Sequence, residues 1–274
     1  MSTVAARGAK MRLDAALVAR ALAPSREKAA RLILAGEVKV DGHRVDKAGA
    51  RVAPGSRIDV AAPPRYVSRG GDKLAHALRA FGVDPRDRVC LDVGASTGGF
   101  THCLLDQGAA RVYAVDVGAH QLHARLRTDP RVVVLDRKNA RNLVPSDLAE
   151  VPTLATVDVS FISLDRVLPA VFGILEQGDE KRGEVVALVK PQFEVGKGQV
   201  GKGGVVRDPA RHRDVLTRVA AMAGAQGWSP RGVARSPLRG PAGNREFFLH
   251  LMRGAALTDL DTRIERETAA EEAP

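Results

Sequence analysis

A chain of 274 residues with 45% hydrophobic and 27% charged residues has the composition of one or two packed domains, not of a disordered protein. No apolar run approaches the roughly 20 residues that span a bilayer, and the N-terminus MSTVAARGAKMRLD lacks a signal-length apolar stretch, so a cytoplasmic protein without a membrane segment is expected. The formal charge of +10 is unevenly placed: residues 1–69 carry 14 Lys and Arg against 6 Asp and Glu (net +8), residues 254–274 carry 2 against 6 (net −4). A basic N-terminal quarter suits a polyanion, because cations that neutralise phosphates release condensed counterions; a merely solvated charged surface has the same composition.

In chain order, MRLDAALVARALA spaces Leu13, Ala16, Leu17 and Leu22 as on a helix. Ser25 can cap a second helix, REKAARLILA, which Gly36 closes. EVKV and HRV then read as strands about an Asp41–Gly42 turn, with SRIDV a third. Pro63 and Pro64 interrupt the pattern before Gly70–Gly71, which divides the chain into a small α+β domain (1–62), a linker (63–69) and a larger domain (70–253). Within the larger domain, apolar strand candidates at 88–94, 111–118, 131–137, 154–161 and 184–190 mostly alternate with helical segments, the signature of a parallel sheet covered on both faces. GVARSPL and REFFLHLM have no clear helix between them and read as a hairpin closing one edge antiparallel, which makes a mostly parallel, seven-stranded sheet. The segment 254–274 is acidic and lacks a strong apolar face, and is expected to be frayed or disordered. Cys90 and Cys103 have no CxxC partners, so packing roles are expected, with no metal.

The chemistry concentrates where the first strand of the larger domain runs into Asp92-Val-Gly94-Ala-Ser96-Thr97-Gly98-Gly99-Phe100. Ligands of open α/β sheets bind beyond the carboxyl ends of the strands. Glycines there let backbone approach a ligand, and the next helix offers free N–H groups. A dinucleotide fingerprint needs glycine where Ser96 stands, and a P-loop needs lysine where Phe100 stands. An acid two residues before the first glycine suits an adenosyl amino acid with a positive sulfonium and ammonium. Asp116, ending the second strand before Val117, can accept both ribose hydroxyls. S-adenosylmethionine (SAM) fits these residues best, with Asp136, Arg137 and Asn139 near the adenine.

Asp158 and Lys190 end the fourth and fifth strands and so share the edge of the glycine loop. Lys73 opens the first helix of the larger domain and Glu246 opens the last strand. Through MRLDAALV, SREKAARLILAGEVKVDG, SRGGDKL, LDVGASTGGFT, DVSFISL, KPQFEVGKG, GGVVRD and NREFFL, the chain resembles the TlyA family, in which an FtsJ-like ribose methyltransferase domain follows an RNA-binding module of the ribosomal-protein S-four type. The resemblance implies a Rossmann-like class I SAM-dependent methyltransferase fold and a Lys–Asp–Lys–Glu tetrad on Lys73, Asp158, Lys190 and Glu246. It also implies methylation of cytidine 2′-oxygens in ribosomal RNA, in many members on both subunits.

For such chemistry Lys190, flanked by another cation and partly desolvated, would act as base, Asp158 would orient it and also border SAM, and Lys73 and Glu246 would position the ribose. Arg12, Arg20, Arg26, Lys28, Arg31, Lys39, Arg65, Tyr66 and Arg137 are the expected RNA contacts, although Tyr66 stands where the family has tryptophan. The glycine-rich loop 196–204 is a further candidate for holding substrate. The expected partner is ribosomal RNA within ribosomal subunits, bound by a monomer. An RNA-binding assembly protein without turnover and a membrane-active haemolysin are the competing readings. DVSF after the fourth strand, in place of an NPPY-like motif, argues against amino-group methylation of bases.

Overall fold

The computed structural model describes residues 9–61, 64–178, 183–196, 198–254 and 257–270. The chain divides into two compact units between residues 63 and 64. In the first, β1 (Met11–Arg12) leads into α1 (Leu13–Ala19) and α2 (Arg26–Leu34), followed by β2 (Val38–Val40), β3 (His43–Arg44), β4 (Arg51–Val52) and β5 (Ile58–Val60). Ser25 caps α2 as its sequence predicts, its Oγ accepting from the Lys28 N–H at 3.2 Å. Strand β2 pairs with both β3 and β5, and a ribbon of β1 with β4, too short to read from sequence, forms a second sheet. Leu13, Ala16, Leu17, Ala29, Ile33 and Val38 make the core of this unit. Leu22 lies beyond the end of α1 and is exposed, outside the helical stripe that its spacing suggested.

The second unit begins with α3 (Gly70–Phe81) and then alternates: β6 (Val89–Val93), α4 (Gly99–Asp106), β7 (Arg111–Val115), α5 (Ala124–Arg127), β8 (Val132–Leu135), β9 (Leu154–Val157), α6 (Leu168–Leu175) and β10 (Glu184–Val189). It ends with α7 (Pro191–Glu194), α8 (Pro209–Ala225), β11 (Trp228–Arg235), β12 (Phe247–Arg253) and α9 (Leu260–Thr268). The strands form one sheet in the order β11-β12-β10-β9-β6-β7-β8, parallel except at β12, which runs antiparallel to both neighbours. Successive side chains of a strand point to opposite faces, so Leu91 and Val93 enter one core cluster while Cys90, just before them, enters the other. Both faces are covered, which is why β6, β7, β9 and β10 are almost continuously apolar.

Two expectations need correction. Residues 64–69 are not a free linker but the start of the second unit. Tyr66 is only 3% exposed, its ring set edge-on against His102, and the Val67 N–H donates to His102 Nδ1 at 3.2 Å; residues 62 and 63 lie outside the described residues. The acidic segment is not frayed where it is described. It folds as α9, with Ile264 and Thr268 buried, and Arg235 is bound to it through the Arg235 N–H to Glu267 Oε2 (2.8 Å) and Nε to the Glu267 carbonyl (2.7 Å). Ile264→Ala is expected to lower stability by about 2–3 kcal/mol through the cavity it leaves. Denaturant unfolding checks this, and an unchanged midpoint would show that α9 packs only superficially.

Candidate active site

The chain visits β6, β7 and β8 in one direction, then returns to β9 on the other side of β6. That reversal opens a crevice beyond the ends of β6 and β9. Val93 and Val157 are register partners, so Gly94 and Asp158, the next residues, meet across it. Gly94 has φ +85°, and a Cβ there would lie 2.3 Å from the Asp158 carbonyl oxygen. Behind the loop, a Cβ on Gly99 would fall 2.2 Å from Ser68 Oγ and 2.9 Å from the Gly71 nitrogen, so the N-termini of α3 and α4 abut. The SRGG and TGG runs thus bring Lys73, on the first turn of α3, to the glycine loop.

A cavity of about 420 Å³ lies along this crevice, lined among others by Gly94, Ser96, Asp116, Val117, Asn139 and Asp158. Asp116 is fixed by two backbone donors, the Ser96 N–H at 2.8 Å and the Gly118 N–H at 2.7 Å. Gly94→Ala combines a left-handed backbone with a backbone collision and is expected to weaken nucleoside-ligand binding about tenfold or more. Calorimetric titration of the variant measures it, and wild-type affinity would show that the crevice can widen.

A second cavity, about 270 Å³, gathers all four residues of the expected tetrad with Ser96, Thr97, Gly99 and Phe100. Their convergence follows from strand registers. Val157 pairs with Ala187, so Asp158 and Lys190 leave the sheet at one edge. Because β12 is antiparallel, its first residue, Phe247, pairs with Val189 at the end of β10, which sets Glu246 beside Lys190. Lys190 Nζ lies 2.5 Å from Asp158 Oδ1 and donates to Ser160 Oγ at 2.9 Å. Lys73 Nζ donates to Glu246 Oε2 at 2.5 Å, with both side chains almost fully buried. The edge therefore holds two lysines, each with its own carboxylate.

A third cavity, about 480 Å³, continues past Lys190 and Glu246 and is bordered by Phe161, Gln192, Phe193 and Pro241. Phe161 is 90% exposed at φ +63°, its ring 4.9 Å from that of Phe193. Sequence reading took it as the end of a strand and missed it. The signal was a large aromatic directly after the acid and serine of DVSF.

Several expected ligand residues do not reach these cavities. Asp92 is fully buried beneath the loop, accepting from Thr101 Oγ1 at 2.6 Å and Thr156 Oγ1 at 3.1 Å. Burial pushes its carboxyl up to about 7, with the two hydroxyls opposing that shift. It is a strut under the loop rather than a ligand contact. Gly98 packs on Leu122 and Leu126. Asp136 pairs with Arg127 at 3.0 Å and accepts from the His120 N–H, while Arg137 is exposed outside the cavity and Lys138, not singled out, lines it.

Of the expected RNA contacts, Tyr66 is inaccessible, its hydroxyl turned toward Asp106. Arg65 remains exposed, paired with Asp106 at 2.6 Å. Arg12 and Arg26 both hold Asp14, whose carboxyl they keep well below the usual range. Arg20 donates to the Ser56 and Pro54 carbonyls at 2.6 and 2.7 Å, and Arg31 pairs with Glu27. Lys28 and Lys39 are exposed. Lys197, in the loop 196–204, lies outside the described residues, as do residues 1–8 and 271–274. Among the described residues no cluster of His, Cys, Asp and Glu could hold a metal, and no helix is long and apolar enough to cross a membrane.

A seven-stranded sheet with its one antiparallel strand next to an edge, a glycine loop after its central strand and an acid ending the next strand define a class I methyltransferase domain. Residues 66–253 match the FtsJ-like methyltransferase model and residues 11–58 the S4 domain model. The chain belongs to the FtsJ-like methyltransferase family, in a form that carries an S4 domain ahead of the catalytic one.

It is similar to the 16S/23S rRNA (cytidine-2′-O)-methyltransferase TlyA of Mycobacterium tuberculosis, with 52% identity over 88% of this chain and 90% of that protein. It is 49% identical, over 88% of this chain and 85% of the relative, to YqxC of Bacillus subtilis, a candidate rRNA methyltransferase. A solved structure of a candidate hemolysin from Streptococcus thermophilus superposes with a TM-score of 0.73 at 43% identity, covering 95% of this chain and 94% of that one.

Proposed function

We propose that the protein transfers the methyl group of SAM to the 2′-oxygen of cytidine riboses in ribosomal RNA of the small and large subunits, in the cytoplasm. The observation that carries this reading is the single cavity in which the glycine loop meets Lys73, Asp158, Lys190 and Glu246. The residues suit SAM. The crevice at Gly94 leaves room that a Cβ would fill, the adjoining cavity has the size of a small-molecule site, and Asp116 is preset to accept ribose hydroxyls. Bound there, SAM supplies an electrophilic methyl on a sulfonium.

A ribose hydroxyl is a poor acid, so its oxygen attacks well only as its proton leaves. Lys190 Nζ takes that proton, and Asp158, 2.5 Å away, holds the amine in place and offsets the charge it gains. Lys73, fixed by Glu246 in the same cavity, orients the ribose. In-line alignment of the oxygen with the methyl supplies much of the acceleration. Phe161 presents an aromatic face for an unstacked base. The basic first unit, with Lys28 and Lys39 exposed, adds sequence-independent affinity for structured RNA.

Tritiated SAM incubated with unmodified small and large ribosomal subunits tests the proposal, with ribose-methyl stops then mapped by reverse transcription. Label at a cytidine 2′-oxygen is expected in both subunits. SAM binding without transfer to either would overturn it in favour of an RNA-binding assembly role.

A further inference from the structure

The segment 158–164, which follows β9 and carries Asp158 and Phe161, lies beside the segment 190–194, which follows β10 and begins with Lys190. Ser160 Oγ accepts from Lys190 Nζ at 2.9 Å. Further along, Ser163 Oγ donates to Glu194 Oε2 at 2.5 Å, and the Leu164 N–H donates to Glu194 Oε1 at 2.8 Å. Lys190 and Glu194 thus pin one strap on either side of its crest, with Phe161 and Ile162 between the pins.

The crest needs both pins. Phe161 has φ +63°, a left-handed conformation that a bulky residue keeps only where its surroundings impose it. Its ring gains little burial in return, being 90% exposed, and meets only the edge of a second ring, that of Phe193, at 4.9 Å. Phe193 directly precedes Glu194, so one carboxylate steadies the mounts of both rings. Phe161, Phe193 and Lys190 line the same cavity.

Glu194 is 5% exposed, a costly place for a carboxylate. Burial raises its carboxyl, and the Ser163 hydroxyl and the Leu164 N–H oppose that shift. Arg218 of α8 donates to the Glu194 carbonyl oxygen and stays 3.9 Å from Oε2, which leaves both carboxylate oxygens to the strap. An apolar side chain would fill this space at less cost but could accept from neither Ser163 nor Leu164.

We propose that Glu194 is a positioning residue for methyl transfer: by gripping the strap at Ser163 and Leu164 it sets the Phe161 ring at the place from which a stacked cytidine delivers its ribose to Lys190. The proposal rests on the reading of Phe161 as the surface for the unstacked base. A ring displaced by about 1 Å would carry the 2′-oxygen out of line with the methyl, an error that costs about a hundredfold in rate.

Full-length Glu194→Gln, Ser163→Ala, Phe161→Ala and the Glu194→Gln/Phe161→Ala double variant test it, in methyl transfer to unmodified ribosomal subunits and in urea unfolding. Glu194→Gln keeps the packing but offers one acceptor where two are needed. It is expected to lower kcat about tenfold to a hundredfold while KM for subunits and SAM affinity change little. Ser163→Ala, which leaves the Leu164 pin, gives a smaller loss of the same kind. In the Phe161→Ala background Glu194→Gln is expected to cost less than about twofold more, because the residue acts through the ring. Wild-type turnover in both Glu194→Gln and Ser163→Ala, whatever their stability, would overturn the proposal. So would losses that multiply in the double variant, since Glu194 would then act apart from Phe161. Wild-type kinetics in Phe161→Ala would defeat the stacking reading, and the proposal with it; wild-type protein that methylates neither subunit would defeat the methyl-transfer reading itself.

Discussion

Lys190→Ala is expected to lower the turnover number by about 10²–10⁴-fold while SAM and RNA affinities change little, because it removes the proton acceptor and not a binding contact. The side chain is 12% exposed, held between Asp158 and Ser160, and no other amine lies as close to Asp158 among the described residues. Lys190→Arg keeps the charge but cannot rescue turnover, since a guanidinium does not release its proton in this range. Single-turnover methyl transfer at saturating SAM and subunits reads the effect. Near-normal rates in Lys190→Ala, with both ligands bound, would remove the lysine from the role of base.

Glu246→Ala is expected to lower the stability of the catalytic unit by about 3–5 kcal/mol in addition to abolishing activity, because Lys73 is left as a buried charge without its partner. The two side chains are 10% and 1% exposed, too dry for water to replace the carboxylate. Lys73→Met combined with Glu246→Leu removes both charges and is expected to regain most of that stability without regaining turnover. Urea unfolding of the single and double variants separates the two effects. A single variant as stable as the wild type would mean that solvent reaches Lys73 more freely than its burial implies.

The sheet was legible because its strands are buried on both faces, and runs such as VCLDV and EVVALV carry that burial openly. The glycine loop was legible because Gly94 and Gly98 adopt left-handed backbone conformations that favour glycine. What the sequence hides is set by distant partners. Glu246 follows Lys190 by 56 residues and reaches it only because β12 returns between β10 and β11, a register that no local spacing encodes. Tyr66, next to an arginine and two prolines, reads as a stacking residue on a linker. It is buried because Gly71 leaves a space in which the ring sits, a Cβ there falling 2.1 Å from Tyr66 Cγ. Helix α9 reads as a solvated tail because its apolar stripe is little more than Leu260 and Ile264, and the contacts that fix it belong to Arg235 and Arg245. Asp92 shows the opposite error: an acid before a glycine loop invites a ligand, yet two threonines hold it inside.

The late return of β12 bears on when the protein becomes active during its own synthesis. Strands β10 and β11 are joined in the sheet only through β12, which follows both in the chain, and the Lys73–Glu246 pair closes a loop of 173 residues. A growing polypeptide can assemble the first unit and the glycine-loop crevice while still tethered, but the tetrad waits for β12 and Glu246 to emerge. Until then a nascent copy carries its S4 domain beside a ribosome, the class of particle proposed as its substrate, without an assembled tetrad.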